Sequence, residues 1–231
     1  MNSEPKIEAS GHVTAMDYES EENSMNITAT SAPGPSGWHD LPPYSGYLSR
    51  PRDETNDRLE FPDGAVVRVL ESPDDAAHAP LIMEFVVPSE AMTTVAHVHP
   101  RQAETYAVRE GSLEVFVAGS WSTVEAGQSA TVPAGTPHAF RNRSGATVRF
   151  LNEHRPALRF EEYFRTVHWL AEDGLIKGSF DIRGVLYACV LMEEYGDTMR
   201  PSGAIQRGAV GMLAAVGRLL GIDVRQFAQT R

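Results

Sequence analysis

Residues 97–111 read HVHPRQAETYAVREG, and residues 127–142 read GQSATVPAGTPHAFRN. His97 and His99 stand two apart in a run with strand character. Residues i and i+2 of a strand share a face, so both imidazoles can address one interior point. Glu104 follows a turn containing Pro100 and can bring a carboxylate to the same point from the next strand. His138 comes just after the turn Pro133-Ala134-Gly135-Thr136-Pro137, at the start of another strand. Three imidazoles and one carboxylate suit a divalent transition metal such as Fe, Ni, Zn, Cu or Mn, with no soft sulfur among the ligands.

The sequence around these segments is β-rich. Short runs at 65–71, 80–87, 93–99, 104–109, 112–117, 120–124, 129–132, 138–142 and 147–152 are bounded by turn signals such as Glu110-Gly111, Ala118-Gly119 and Ser144-Gly145. Several alternate, as in Leu113, Val115 and Val117. Many short strands at near-regular spacing predict an antiparallel sandwich or barrel. After about residue 156 the period becomes helical, with expected helices over 160–172, 180–195 and 203–220. On the last, Ile205, Ala209, Met212, Leu213, Val216, Leu219 and Leu220 share one side, opposite Arg207 and Arg218. That side is expected to pack on the chain's own barrel.

Both histidine segments resemble the paired motifs of the cupin superfamily. The first motif, Gly-x5-His-x-His-x4-Glu-x6-Gly, matches at His97, His99, Glu104 and Gly111, with Ala91 in place of the leading Gly. The second, Gly-x5-Pro-x-Gly-x2-His-x3-Asn, matches at Gly127, Pro133, Gly135, His138 and Asn142. The resemblance covers about 60–155, and the region from 160 onward resembles the helical extension of a group of bacterial cupin-domain proteins. It implies an all-β core, a cupin-type antiparallel β-barrel (jelly roll), followed by C-terminal α-helices. The expected organisation is an acidic disordered tail over 1–40, an extended arm over 41–57, the barrel over 58–157 and the helical extension over 158–231. Gly111 and Gly127 are expected at tight hairpin corners, and Asn142 is expected to bond backbone near its turn.

The resemblance implies a metal held by His97, His99, Glu104 and His138, with Glu104 also a candidate base. It implies a metal-dependent oxygenase acting on a small aromatic or enolisable molecule. The alternatives are a non-redox lyase, isomerase or polyketide cyclase on the same site, or a non-catalytic small-molecule-binding cupin. A homodimer paired through sheet edges is implied as well. Strand parity turns Tyr106 and Phe140 inward with the ligands. Met83, Phe85 and Phe150 are candidate pocket walls. Gln102 could hydrogen-bond a bound molecule, and Arg68 and Arg149 could meet an anionic one. The other histidines, His12, His39, His78, His154 and His168, lie outside the motifs and are not read as catalytic, although His154 could line the barrel mouth.

Composition narrows the partners. The 231 residues hold 20 Lys and Arg against 31 Asp and Glu, a net charge of −11. Seven acidic residues against Lys6 alone fall within 1–40. Such a balance argues against nucleic acid and against docking on an anionic membrane. The single cysteine, Cys189, precludes an internal disulfide and fits a reducing compartment. The apolar runs at 185–192 and 209–217 fall short of the roughly 20 residues of a membrane helix. A cytoplasmic protein without a targeting segment is expected.

Overall fold

The computed structural model describes residues 57–176 and 181–229; the tail and nearly all of the arm lie outside them. Ten strands precede the helices: β1 (Arg58–Glu60), β2 (Val66–Glu71), β3 (Leu81–Val87), β4 (His97–Val98), β5 (Ala103–Glu110), β6 (Ser112–Val117), β7 (Ser120–Glu125), β8 (Ser129–Val132), β9 (His138–Arg141) and β10 (Val148–Arg155). Helices α1 (Phe160–Glu172) and α2 (Ile182–Glu194), strand β11 (Arg200–Pro201), and helices α3 (Ala204–Leu219) and α4 (Arg225–Gln229) complete the order.

Two antiparallel sheets form the jelly roll. One runs β1-β2-β3-β10-β5-β8 and the other β11-β4-β9-β6-β7. Their inward side chains make the core, with Phe85 of β3 edge-on to Phe140 of β9 at 6.3 Å and stacked on Phe150 of β10 at 5.0 Å. Gly111 turns the β5–β6 corner at φ +76°, where a Cβ would lie 2.9 Å from the Thr147 carbonyl oxygen. Asn142 donates to the Val87 and Ala146 carbonyls and accepts from Ser144 N–H, closing the turn that follows β9. Where the motif's leading glycine is replaced by Ala91, the left-handed conformations fall on its neighbours Glu90 (φ 65°) and Met92 (φ 45°). Met92 N–H is then held by Asp63 Oδ2 at 2.8 Å.

The extension is joined to the barrel at several points. Gln102 Nε2 donates to the carbonyls of Pro156 and Ala157 at 3.0 and 2.7 Å, which fixes the turn leading from β10 into α1. β11 pairs with β4, Pro201 opposite His97.

α3 corrects one expectation. Its small side, with buried Ala214 and Gly217, packs on α2. A Cβ at Gly217 would stand 2.8 Å from Val190 Cγ2 and 3.5 Å from the Leu186 carbonyl, so the two helices approach too closely for larger residues. The bulky side faces outward instead, with Ile205 90%, Leu219 87% and Met212 66% exposed. A hydrophobic pattern weights bulk, whereas this helix packs through its lack of it. Among the described residues no helix is long and apolar enough to cross a membrane.

Candidate metal centre and cavity

The short β4 strand places His97 directly opposite His138 on β9. His99 follows β4 by one residue. Glu104 comes from β5 in the other sheet, so the carboxylate meets the three imidazoles across the barrel interior. The ligand atoms of all four residues lie within 4.8 Å of one another, and all four are buried. Glu104 Oε2 stands 2.7 Å from His138 Nε2 and 3.3 Å from His99 Nε2.

The other ring nitrogens determine what these atoms can do. His97 Nδ1 lies 2.9 Å from the Val95 carbonyl, His99 Nδ1 2.8 Å from Thr198, and His138 Nδ1 2.7 Å from Thr136. A carbonyl only accepts, so each Nδ1 carries a proton, and each ring when neutral presents a bare Nε2 to the centre. His99 Nε2, His138 Nε2 and Glu104 Oε2 are buried without a hydrogen-bond partner of ordinary geometry. A cation among them would satisfy all three, so the residues present fit a divalent transition metal.

The electrostatics agree. Burial, helped by the neighbouring histidines, pushes His97 down to about 4. Burial opposes the charged form of Glu104, but His154 and the adjoining imidazoles of His138 and His99 outweigh it and hold the carboxyl well below its ordinary value. Burial likewise opposes charge on His138, yet Glu104 raises it above normal. The centre therefore combines an ionised carboxylate with imidazoles that burial and mutual repulsion discourage from all charging together.

Behind Glu104 lies a polar chain outside the motif signature. Asn152 Nδ2 donates to Glu104 Oε1 at 2.8 Å, leaving Oε2 to face the imidazoles. Asn152 Oδ1 meets His154 Nε2 at 2.7 Å. His154 is fully buried and stacks on Phe160 with centroids 3.5 Å apart. Continuing the Val148, Phe150 alternation by two steps reaches Asn152 and His154, so the signal was present in the strand.

A cavity of about 750 Å³ opens onto this centre. His97, Glu104 and Asn152 line one end. Phe85 and Phe140 are among its walls, while Met83, Tyr106 and Phe150 are buried in the core and are not among the lining residues. Gln102 is not a lining residue either, because its amide nitrogen is engaged at the β10–α1 turn. Arg68 and Arg149 do not reach inward. Both approach Glu84, at 3.6 and 3.7 Å, and Arg149 also approaches Glu110, because alternation on β2 and β10 carries these side chains to the other face of the sheet. The remaining walls come from Phe61 and from α1, through Phe160, Tyr163, Phe164 and Val167.

Residues 83–152 match the family model for the Cupin domain, a stretch that contains all four converging residues. No curated protein matches the chain. Among solved structures, TT1209 from Thermus thermophilus is 22% identical over 46% of this chain and 95% of its own, with a TM-score of 0.38. The polyketide cyclase RemF from Streptomyces resistomycificus is 25% identical over 46% of this chain and 79% of its own, TM-score 0.38. KdgF from Halomonas sp. is 15% identical over 46% and 92%, TM-score 0.39.

Proposed function

Residues 83–152 form a domain of the cupin family, and on that premise we propose that the chain is a metal-dependent enzyme, an oxygenase acting on a small aromatic or enolisable molecule. One observation carries the reading: three imidazoles, each held at Nδ1 by a backbone carbonyl, converge with Glu104, and two of the four, His97 and Glu104, line an apolar cavity. His97, His99, Glu104 and His138 would hold the ion. Bound there, a divalent transition metal supplies Lewis acidity and, if iron, copper, nickel or manganese, redox chemistry.

Two carboxylates line the cavity. Asp63 has its oxygens engaged by the Ala65 and Met92 N–H groups, whereas Glu104 Oε2 has no such partner. Glu104 is thus the group placed to take a proton from a substrate hydroxyl or activated C–H. Asn152 keeps Oε1 engaged and so orients Oε2. Phe160 of α1 lies edge-on to His99 at this end, with centroids 5.3 Å apart.

Metal content of the untagged protein, measured by plasma mass spectrometry beside a His97→Ala, His138→Ala variant, tests the site. Near-stoichiometric metal that disappears in the variant is expected. No metal in either protein, even after reconstitution, would overturn the reading in favour of a non-catalytic binding module. Oxygen uptake with flavonols or diketones tests the reaction. Product without oxygen consumption would replace the oxygenase by a lyase, isomerase or cyclase. The proposal includes a homodimer in the cytoplasm; a monomeric mass in light scattering would remove the homodimer.

A further inference from the structure

Nearly every wall of the cavity is apolar or aromatic. Phe61, Phe85, Phe140, Phe160 and Phe164 contribute rings, and Val167 and Ile176 contribute aliphatic surface. Polar groups gather at the histidine end and at Asp63, Thr93 and Thr94. No Lys or Arg lines the cavity among the described residues, and its two carboxylate side chains, Asp63 and Glu104, are acidic. The arginines nearest in sequence pattern, Arg68 and Arg149, are held at Glu84 on the other face of the sheet. Away from the metal-binding end, a carboxylate or sulfonate on the ligand would therefore meet aromatic faces and Asp63 with no counter-ion. A sugar would leave most of its hydroxyls without partners.

The walls are also held in place before any ligand arrives. Phe164 sits edge-on between Phe61, at 5.5 Å, and Phe85, at 5.4 Å. Phe61 meets His168 edge-on at 5.4 Å. These contacts join α1 to the β1–β2 loop and to β3, so the helix outside the family-matched segment sets the width of the cavity. Phe160, Phe164, Val167 and Ala171 recur at helical spacing and present one face of α1 to it. A space of about 750 Å³ lies in the range that encloses drug-sized molecules.

We propose that the cavity takes an uncharged, apolar ring system of two to four rings carrying a hydroxyl or keto oxygen at one end, and that α1, through Phe164 and Val167, determines this preference. The inference rests on the metal reading only for the end of the molecule that points inward. It sets small dicarboxylates and uronates aside as substrates.

The test compares 3-hydroxyflavone, its 4′-carboxylate and galacturonate by titration calorimetry, on metal-loaded and on chelator-stripped protein. The flavone is expected to bind in the micromolar range, the carboxylate roughly tenfold or more weaker, and galacturonate not measurably. Equal or tighter binding of either acid would overturn the proposal. Val167 is only partly buried, at the margin of the core, so substitutions there are less disruptive than at a buried position. Val167→Trp should fill the cavity and weaken the flavone by about tenfold or more, with metal content unchanged. Val167→Arg should shift preference towards the carboxylate; an unchanged ratio in this folded variant would remove α1 from the determinant. The two readings fail separately. Stoichiometric metal with no flavone binding overturns this inference and leaves the metal site standing. Flavone binding to protein that never takes up metal does the reverse.

Discussion

The barrel and the helical extension contribute to one site by different physical means. The barrel places chemistry through register: His97 faces His138 across a strand pair, and Glu104 faces them from the other sheet. Two of the three imidazoles are fixed by carbonyls two residues before them, at Val95 and Thr136. The extension places shape, since α1 walls the cavity with Phe160, Phe164 and Val167. The division is not strict, for β11 of the extension pairs Pro201 opposite His97. His99 is oriented by the Thr198 carbonyl, 99 positions along the chain, between α2 and β11. The extension thus takes part in the geometry of the candidate metal centre as well as walling the cavity.

The largest effect is expected at the barrel's own proposed ligands. Glu104→Gln keeps the shape and the Asn152 contact but removes the one anionic member of the proposed ligand set. Metal affinity, read by competition with a fluorescent chelator, should fall by more than about hundredfold. A loss no larger than that of a surface substitution would remove Glu104 from the ligand set. The layer behind should matter less. Asn152→Leu removes the donor to Glu104 Oε1 and the partner of His154 Nε2. It should weaken metal binding by about 10- to 100-fold and cost about 1–3 kcal/mol of stability, because two buried polar atoms lose partners. Unchanged metal affinity would make Asn152 a purely structural residue.

Glycines allow the two regions to be compared directly. Gly111→Ala in the barrel forces a Cβ onto a left-handed residue and against the backbone oxygen of Thr147. About 2–4 kcal/mol of destabilisation in urea is expected. Gly217→Ala in α3 meets the Val190 side chain at 2.8 Å, and better helix propensity returns about 1 kcal/mol. A smaller cost, below about 1.5 kcal/mol, should result. Equal costs would mean that the α2–α3 contact is as unyielding as the sheet corner.

The extension also carries an acid-sensitive contact. Arg159 and the Tyr195 hydroxyl both donate to Glu162, and Arg159 leads in holding its carboxyl below the usual value. A depressed carboxyl contributes stability above its unfolded pKa and loses it as pH falls through the folded one. The contribution of this partly exposed cluster should fade at acid pH and stay below about 1 kcal/mol. Glu162→Gln should flatten that part of the stability–pH curve; an unchanged slope would show that Glu162 does not supply it.

What the sequence disclosed follows from how local each feature is. The i, i+2 histidines, the spaced glutamate and the turn before His138 are short-range patterns, so the converging set was readable. Helix α1 likewise spans the expected 160–172, because its apolar period is unbroken. β1 and β11, at three and two residues, are too short to show a period. Thr198 acts through a main-chain carbonyl, which leaves no mark in residue type. Gln102 lies between ligands in sequence, yet its partners are carbonyls at 156 and 157, visible only once β10 has turned into α1.

α3 separates pattern from packing most sharply, and it gives the smallest expected effect. Ile205 and Leu219 belong to its bulky apolar side, which a helical wheel selects as the buried one. They are nearly fully exposed, while Ala214 and Gly217 carry the contact with α2. Transfer of apolar surface stabilises only where the surface leaves water. Ile205→Ser and Leu219→Ser, singly or together, should therefore change unfolding free energy by no more than about 0.5 kcal/mol each. Urea titration at several protein concentrations provides the check. A loss above about 2 kcal/mol would mean that this side of α3 is covered in solution. If the loss grew with protein concentration, the cover would be a second molecule; if it did not, the helix would sit against its own chain as its sequence pattern suggests.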